Sequence, residues 1–208
     1  MKYEHCSKYV ENGLKLAQQF FGRKENWNLY THQISIYGSR VMEYIEIGDR
    51  VLDVGHGFCG LTFACLNMHC YTDSIDLFVE HPPIPEVHWY TSNIEDPDCF
   101  LKKDFYDAII FTEILEHLNF TPENTIDRLF DSLKVGGYLI VTTPTKGIYP
   151  EPEVEHVFED WNPEMTPIDQ HMRIYSDGEV VDMLSKRGTV IKQDHLCNHS
   201  FFVSEKDF

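Results

Sequence analysis

The sequence has few basic residues and no long apolar run. Lys and Arg together number 17 against 34 Asp and Glu, which gives the 208-residue chain a formal net charge of -17. Because non-specific affinity for nucleic acid comes from Lys and Arg that displace counterions, this charge argues against a broad nucleic-acid groove. No stretch approaches the ~20 apolar residues that span a bilayer, and the N-terminal residues are charged where a signal peptide is apolar. We therefore expect a cytoplasmic protein that contacts neither membranes nor long nucleic acids.

Paired cysteines are also missing. The six cysteines include no C-x-x-C pair, and several lie in apolar runs. This pattern is typical of reduced, buried thiols in a cytosolic protein. Apolar residues make up 42% of the chain and charged residues 25%, as in ordinary globular proteins. The length fits one domain, or one domain with a cap.

Basic residues are absent from a long central segment. Between Val51 and Leu101 there is no Lys or Arg, although the segment has eight Asp and Glu. A second acidic segment, at about residues 145–171, has four prolines and one base, Lys146. Two interpretations of this second segment stay open. It is a solvated surface loop, or it is a lid whose negative field attracts a cationic substrate, cofactor or metal ion.

Apolar patterns divide the chain into helices and strands. Helical spacing predicts helices within residues 1–48, and later β-branched runs predict five strands and a C-terminal hairpin that turns at Asn198. Helical stretches between most of the strands predict a parallel sheet covered on both faces, with the hairpin closing its edge. One helix is expected from Pro122, capped by Thr121, to a stop at Gly136-Gly137, and another over Ser176–Ser185.

The connection between the second and third predicted strands is unusual. Its sequence, LFVEHPPIPE, has three prolines in ten residues and cannot form a normal crossover helix. If the two strands are parallel neighbours, an extended segment leaves one face of the sheet partly uncovered. A second copy of the chain could cover that face, so a homodimer is possible.

A glycine-rich turn follows the first predicted strand. Asp53-Val54-Gly55-His56-Gly57 lies where open α/β sheets bind ligands. Asp76 follows the second strand, where a carboxylate can bind both hydroxyls of a ribose. The glycines also match the dinucleotide fingerprint, but an acid at Asp53 would repel a pyrophosphate. S-adenosylmethionine has a cationic ammonium and sulfonium and no phosphate, and therefore suits this acidic segment better.

Several segments together resemble one enzyme family. The segments VLDVGHGFCG, SIDLF, SNIEDPD, FYDAIIFTEILEHL, LKVGGYLIVTTP and HMRIYS, from about Arg50 to the C-terminus, resemble class I S-adenosylmethionine-dependent methyltransferases. Within that superfamily the chain is most similar to ubiquinone-biosynthesis-like O-methyltransferases and to small-RNA 3′-end 2′-O-methyltransferases, which share an E-x-x-E-H segment. The resemblance implies an α/β fold: a Rossmann-like, seven-stranded, mostly parallel sheet with a C-terminal antiparallel hairpin. Residues 1–48 would form an N-terminal helical cap, and residues 49–208 the cofactor-binding domain.

The resemblance also implies a cofactor site. Its residues would be Asp53, Gly55, Gly57, Asp76, Leu77, Asn93, Ile94, Thr112 and Glu113. Asp76 would bind the ribose, and Leu77 would pack on the adenine. Asn93 and Ile94 would lie at the adenine edge, with Asn93 in place of the more usual aspartate. The other residues would lie beside the methionine part, and Cys59 stands where the family has its third glycine.

Two kinds of catalytic group are open for removing the acceptor's proton, a histidine base or a metal ion. Glu113, Glu116 and His117 stand at i, i+3 and i+4 and would share one face if the segment turns helical at once. Together with His171 they would suit Mg²⁺, Mn²⁺, Fe²⁺ or Zn²⁺, and the resemblance to the small-RNA enzymes implies such a site. Alternatively, His117 or His171 acts as a general base without metal, or the acids favour a helix N-terminus while the histidines pack locally.

The acceptor itself leaves little trace in the sequence. Tyr30 and His32 in the cap and His156 in the acidic segment are candidate substrate contacts. We expect methyl transfer to an oxygen, in preference to a nitrogen, of a small polar metabolite. The alternatives are metal-dependent 2′-O-methylation of an RNA 3′ end, a non-catalytic binding module with the same fold, and a nicotinamide oxidoreductase.

Overall fold

Strands and helices alternate along most of the chain. The computed structural model describes residues 2–77, 81–150, 152, 157–162 and 170–207. The strands in these residues are β1 (Arg50–Val54), β2 (Tyr71–Asp76), β3 (Val87–Thr91), β4 (Tyr106–Thr112), β5 (Leu133–Pro144), β6 (Gly188–Leu196) and β7 (His199–Lys206). The helices are α1 (Lys2–Phe21), α2 (Trp27–Met42), α3 (Gly60–Asn67), α4 (Pro122–Ser132) and α5 (Asp177–Leu184), with a 3₁₀ turn at Leu115–His117.

The strands form one sheet in the order β3-β2-β1-β4-β5-β7-β6. Neighbours from β3 to β5 are parallel, and β7 runs antiparallel to both β5 and β6. The predicted fold class, a Rossmann-like mostly parallel sheet with an antiparallel C-terminal hairpin, is confirmed. The strand order reverses beside β1, so a crevice opens at the carboxyl ends of β1 and β4.

Both faces of the central strands β1 and β4 are buried, which explains the apolar runs in these strands. In β1, Val51 belongs to the core on the α1–α3 side, and Leu52 belongs to the core on the α4–α5 side. In β4, Ile110 and Phe111 alternate in the same way. Since successive side chains of a strand point to opposite faces, a strand covered on both faces needs apolar residues at consecutive positions.

The N-terminal helices pack against α3, the helix that follows β1. A Cβ atom added at Gly13 of α1 would lie 2.4 Å from the Gly60 carbonyl oxygen and 2.7 Å from the Ala64 backbone nitrogen. Glycine is therefore required where α1 crosses α3. The boundary between the predicted cap and the cofactor-binding domain, at residues 48 and 49, stays a prediction. The N-terminal helices and the sheet share one apolar core.

The predicted bounds of α4 are partly wrong. Thr121 does not cap the helix with its side chain, because its hydroxyl donates instead to the carbonyl oxygens of Phe158 and Glu159 at 3.2 and 2.9 Å. Gly136 and Gly137 are not a helix stop but lie inside β5. A Cβ at Gly137 would meet three backbone oxygens at 2.9–3.1 Å, so glycine there permits a close approach of β4 and β5. The predicted helix at residues 176–185 is confirmed as α5, with a capping box between Ser176 and Glu179.

The prediction of buried thiols holds for five of the six cysteines. All six cysteines are free thiols, and five of them are buried, but Cys197 is exposed in the β6–β7 turn. Cys197 directly follows β6, and its φ of 59° is typical of a tight turn where the chain reverses.

In the connection from β2 to β3, the described residues 81–86 contain no helix, as the prolines predict. In the part of the chain that the structure describes, no helix has the length and apolarity needed to cross a membrane.

The contact between α1 and α3 yields a stability prediction. Gly13→Ala would normally favour a helix, but here its Cβ overlaps backbone atoms that cannot rotate away. We expect the variant to lower the free energy of unfolding in urea by about 1–3 kcal/mol. The matched control is Gly178→Ala in α5, where nothing lies within 4 Å of the added Cβ, and this change should raise stability by about 0.5–1 kcal/mol. Equal stability of Gly13→Ala and the wild type would contradict the packing argument.

Candidate functional site

A cavity of about 580 Å³ lies at the carboxyl edge of the sheet. It is bounded by the ends of β1, β2, β3 and β4 and by one face of α2. All of the predicted cofactor residues line it: Asp53, Gly55, Gly57, Asp76, Leu77, Asn93, Ile94, Thr112 and Glu113. The fold therefore brings together residues that are up to sixty positions apart in the sequence. Their individual roles stay predictions.

The turn after β1 has a backbone that few side chains tolerate. Gly55 and Gly57 have φ angles of 70° and 51°, in the left-handed region that favours glycine. A Cβ at Gly55 would lie 1.9 Å from the Ile114 side chain. Cys59 also has a positive φ, 63°, and directly precedes α3. The departure from the family's third glycine is thus accommodated by a strained, fully buried cysteine.

Tyr30 of α2 fixes this turn from above. The Gly60 N–H, at the start of α3, donates to the Tyr30 hydroxyl at 2.6 Å. The Tyr30 ring covers Gly57, since a Cβ there would lie 3.3 Å from it. Burial, followed by the charge of Asp53, raises the pKa of Tyr30 well above its ordinary value. The phenol is therefore a neutral wall of the cavity.

The acids of β1 and β2 differ in their surroundings. Asp53 is only 2% exposed, and its Oδ2 accepts a hydrogen bond of 2.5 Å from the Thr62 hydroxyl. Burial, with a further contribution from the Asp76 charge, raises the pKa of Asp53 to about 7. Asp76 accepts from the backbone N–H groups of Gly57 and Leu77 at 3.1 and 2.6 Å. Asp76 thus ties the glycine turn to the end of β2.

The segment after β4 is not the helix that the i, i+3, i+4 spacing requires, so that expectation is wrong. Glu113 has a φ of 54°, and only a 3₁₀ turn follows. The structure nevertheless brings one ligand atom each of Glu116, His117 and His171 within 4.8 Å of one another. The carboxylate of Glu113, the fourth predicted ligand, lies outside this group and contacts His199 instead.

Two residues of this group, His117 and Glu116, are each held by a hydrogen bond to one of their two polar side-chain atoms. The Nδ1 of His117 lies 3.0 Å from the Gln170 carbonyl oxygen. A carbonyl only accepts, so Nδ1 bears the hydrogen and Nε2 keeps its lone pair. Oε2 of Glu116 accepts from the Thr143 hydroxyl at 3.1 Å, while its buried Oε1 has no partner among the described residues.

In the absence of a cation, the surroundings favour the protonated form of Glu116 and the neutral form of His171. Burial, followed by the charge of Glu113, raises the pKa of Glu116 well above its ordinary value. Burial, followed by the nearby His117, lowers the pKa of His171. A cation at this end would reverse the first effect, because it favours the ionised carboxylate.

His199, at the start of β7, is a site residue that the sequence did not indicate. Its fully buried Nδ1 lies 3.0 Å from Glu113 Oε2, although the two residues are 86 positions apart. The ring packs edge-on against Tyr37 of α2, with centroids 5.4 Å apart. His199 thus acts on the cavity through Glu113, while the polar lining residues that the sequence did not indicate include Gln33, His56, Glu95, Asn119 and Tyr149. His56 alone had a local signal, its position within the glycine turn.

Two of the three predicted substrate contacts can be placed. Tyr30 lines the cavity, together with Gln33, Ile34 and Tyr37. His32 is exposed and does not line it, so its prediction is wrong. The helical repeat explains the error, because positions 30, 33, 34 and 37 share a face of α2 that excludes 32. His156 lies outside the described residues, as does much of the acidic segment at 145–171.

The described lining residues include no Lys or Arg. The ionisable groups around the cavity are carboxylates, imidazoles and phenols. A low-dielectric pocket lined by acids attracts cations and repels phosphates. This arrangement fits a cationic nucleoside and disfavours the pyrophosphate of a dinucleotide.

Comparison with known proteins agrees with this geometry. Residues 29–193 match the family model described as a methyltransferase domain. No curated protein matches the chain significantly. Three solved structures share its fold: a chain of the Haloferax volcanii complex between the Trm112 methyltransferase activator and a methyltransferase, the Burkholderia thailandensis 1,6-didemethyltoxoflavin-N1-methyltransferase with S-adenosylhomocysteine, and the [4+2]-cyclase SpnF.

The three similarities extend over most of each chain. The Haloferax chain has a TM-score of 0.72 at 12% identity and covers 92% of this chain and 98% of its own. The Burkholderia enzyme has a TM-score of 0.66 at 14% identity, with coverages of 96% and 88%. SpnF has a TM-score of 0.64 at 12% identity, with coverages of 88% and 84%. The family match, which spans most of the sequence, places this chain in the methyltransferase-domain family as a class I S-adenosylmethionine-dependent methyltransferase.

Proposed function

We propose that this protein transfers the methyl group of S-adenosylmethionine to an oxygen, in preference to a nitrogen, of a small polar metabolite that is neutral or positively charged. The observation that supports this proposal most directly is the set of ionisable side chains that line the cavity after β4 and near Gln170. Two carboxylates, Glu113 and Glu116, and two imidazoles, His117 and His171, lie there with no Lys or Arg among the described lining residues. An acceptor with a carboxylate or phosphate would find no counter-charge.

The reaction requires alignment and removal of one proton. The acceptor oxygen attacks the methyl carbon, the carbon–sulfur bond breaks, and its electron pair stays on sulfur as S-adenosylhomocysteine forms. Holding the three atoms in line and dry provides much of the acceleration. The acceptor's proton passes to an imidazole. His171 suits this role because its lowered pKa keeps it neutral at pH 7, and the Nε2 lone pair of His117 is a second candidate acceptor.

The donors at this end also fit a divalent cation such as Mg²⁺, Mn²⁺, Fe²⁺ or Zn²⁺. Glu116, His117 and His171 would hold it. Bonds from Thr143 to Glu116 and from His117 to Gln170 fix the remaining atoms of two of these side chains, as second contacts do in metal sites. When bound, such an ion would act as a Lewis acid and lower the pKa of the acceptor hydroxyl.

Two other functions remain alternatives. The same Glu, His and His group would suit metal-dependent 2′-O-methylation of an RNA 3′ end, but the net charge of -17 disfavours it. A non-catalytic module, or another reaction, is the second alternative, since SpnF is named as a cyclase. A cytoplasmic location and a homodimer formed beside the proline-rich connection are further proposals that rest on the sequence alone.

A panel of similar acceptors that differ in charge tests the main proposal. Three catechols with a cationic, neutral or anionic side chain (dopamine, 4-ethylcatechol and 3,4-dihydroxyphenylacetate) are incubated with S-adenosylmethionine and Mg²⁺, together with a wider set of alcohols and amines and a short RNA with a free 3′ end. We expect S-adenosylhomocysteine to form with neutral or cationic acceptors in preference to anionic ones. His171→Ala should lower turnover about 10²- to 10⁴-fold. Turnover of RNA alone, or no turnover with any acceptor, would contradict the proposal.

Metal binding has its own test. Mn²⁺ is titrated into the S-adenosylhomocysteine complex and followed by electron paramagnetic resonance. We expect His117→Ala and His171→Ala to weaken Mn²⁺ binding at least about tenfold, because each removes a ligand. His32→Ala, which removes an exposed imidazole from α2, is the matched control and should bind as the wild type does. Equal Mn²⁺ affinity in all four proteins would exclude this site.

The raised pKa of Asp53 predicts a pH dependence of cofactor binding. A cation beside Asp53 favours its ionised form, and the pKa of this group is about 7 in the free protein. Affinity for S-adenosylmethionine should therefore rise as pH increases from about 6 to about 8 and then level off, with proton release on binding near pH 7.

Asp53→Asn is the control for this pH dependence. The variant cannot ionise, so calorimetry should show a smaller change of affinity with pH and less proton release. The cofactor's own amino group titrates near pH 8, and its contribution is present in both proteins and cancels in the comparison. An identical pH profile for the variant and the wild type would show that Asp53 does not face the cofactor's charge.

A further inference from the structure

Glu113 is fixed both by its backbone and by its side chain. Its φ of 54° is in the left-handed region that residues other than glycine rarely adopt, and its backbone N–H donates to the Thr142 carbonyl oxygen at 2.9 Å. Its Oε2 accepts a hydrogen bond from Nδ1 of His199 at 3.0 Å. His199 is fully buried and does not itself line the cavity. The imidazole therefore holds the carboxylate from the side of the protein core.

The second oxygen of this carboxylate is left over. Oε1 of Glu113 is buried and has no hydrogen-bond partner in the part of the chain that the structure describes, although Glu113 lines the cavity. The described lining residues also include no Lys or Arg that would offset its charge. A buried charged oxygen without a partner costs free energy, and a ligand that donates a hydrogen bond to it removes that cost. Oε1 is therefore the atom of Glu113 that is available to a ligand.

Two aromatic rings lie near this carboxylate. Tyr37 of α2 is 3% exposed, and its ring packs edge-on against His199 with centroids 5.4 Å apart. The ring of Tyr149, which follows β5, lies 6.2 Å from the same imidazole, and Nδ2 of Asn198 donates to its hydroxyl at 2.5 Å. Both tyrosines line the cavity. Aromatic rings together with a carboxylate are surroundings that favour an organic cation.

The charge of Glu113 acts on three of the described neighbours. The pKa values of Tyr37, Tyr149 and Glu116 are all raised, in each case first by burial and next by the charge of Glu113. A cation bound at Glu113 would oppose this second effect. The charges and the geometry thus both favour a positively charged ligand that can donate a hydrogen bond.

Two ligands could supply such a cation, the cofactor through its own ammonium and the acceptor through an ammonium. The predicted cofactor contacts Asp53 and Asp76 lie at the ends of β1 and β2. In contrast, His199 pairs with Pro144 at the end of β5, which lies two strands from β1 in the sheet, and Tyr149 follows that strand. The surroundings of Glu113 are therefore on the side of the cavity that lies away from the cofactor's nucleoside, and we assign its free oxygen to the acceptor.

We infer that Glu113, positioned by His199, binds a protonated amine of the acceptor, so that the substrate is an amino alcohol or an aminophenol. This inference rests on the proposed function and narrows its acceptor from neutral or cationic to cationic. It also gives a physical reason for transfer to oxygen. A protonated amine has no lone pair, so an amine that is held as an ammonium beside Glu113 cannot attack the methyl carbon, and the hydroxyl of the same molecule reacts instead.

Matched pairs of an amine and an alcohol test the inference in the complex with S-adenosylhomocysteine. The pairs are dopamine and 3,4-dihydroxyphenylethanol, tyramine and 4-hydroxyphenylethanol, and 4-aminobutan-1-ol and butane-1,4-diol. The members of each pair differ only in an ammonium in place of a hydroxyl. Titrations followed by ligand-observed nuclear magnetic resonance should show that the amine of at least one pair binds about 10- to 100-fold more tightly. Equal binding within all three pairs would contradict the inference.

Three variants locate this preference at Glu113 and His199. Glu113→Gln keeps the shape of the side chain but removes its charge, and should lower the ratio of the two affinities at least about tenfold. His199→Leu should lower the ratio about three- to tenfold, whereas His199→Asn, whose NH₂ can donate in place of Nδ1, should restore most of it. Glu11→Gln, at an exposed position of α1, is the matched control and should leave the ratio unchanged.

A further variant keeps the inference testable if the changes at Glu113 or His199 prevent folding. Tyr149→Leu removes one aromatic ring from a half-buried position. It should weaken binding of the amine about three- to tenfold and leave binding of the alcohol unchanged. Melting temperatures identify any variant that is merely unfolded. An equal loss for both members of a pair in every variant would give these residues a structural role only and would overturn the inference.

The outcomes separate this inference from the proposed function. If the complex binds S-adenosylhomocysteine and Glu113→Gln leaves the amine preference unchanged, the inference is wrong while the cofactor site stands. If Glu113→Gln instead weakens S-adenosylhomocysteine but not 5′-methylthioadenosine, which lacks the amino acid, Glu113 binds the ammonium of the cofactor, and the inference is again wrong. If the wild type does not bind S-adenosylhomocysteine, the proposed function is itself wrong, and the inference falls with it.

Discussion

Buried carboxylates that have no Lys or Arg partner among the described residues are the constraint on which the site depends. Asp53 and Glu116 are almost fully buried, and burial of a charge costs free energy unless hydrogen bonds or an opposite charge compensate it. Hydroxyls take the place of Lys and Arg here, Thr62 for Asp53 and Thr143 for Glu116. The compensation is incomplete, which is why the pKa values of both acids are raised. A ligand that brings its own positive charge completes it.

The sheet topology provides this arrangement. Parallel strands deliver the ends of β1 and β4 to the same edge of the sheet, so Asp53 and Glu113 enter one crevice. The antiparallel β7 begins where those strands end, and His199 pairs with Pro144, the last residue of β5. An additional parallel strand would have placed its first residue at the opposite edge. The C-terminal hairpin therefore closes the sheet and also supplies the imidazole that holds Glu113.

The sequence could predict what short segments determine. The glycine turn, Asp76 and the strands have signals within a few residues of one another, and a helical repeat distinguishes Tyr30 from His32 once the helix is known. Contacts between Glu113 and His199, or between Glu95 and Asn119, have no local signal, because they join residues that are 86 and 24 positions apart. A shared face at i, i+3 and i+4 required a helix that does not form, because Glu113 has a left-handed backbone and only a 3₁₀ turn follows. The ligand atoms of Glu116, His117 and His171 meet for a different reason, the return of the chain at Gln170.

Under the proposed function, the charge of the cofactor changes during the reaction while its nucleoside does not. Carboxylates near the turn and after β4 respond to charge, which does change, because methyl transfer converts a cationic sulfonium into a neutral thioether. The negative field that favours binding of S-adenosylmethionine therefore attracts its product less, while the contacts to the nucleoside stay the same. A cavity whose described lining residues include no Lys or Arg would thus favour exchange of the product for fresh cofactor after each transfer.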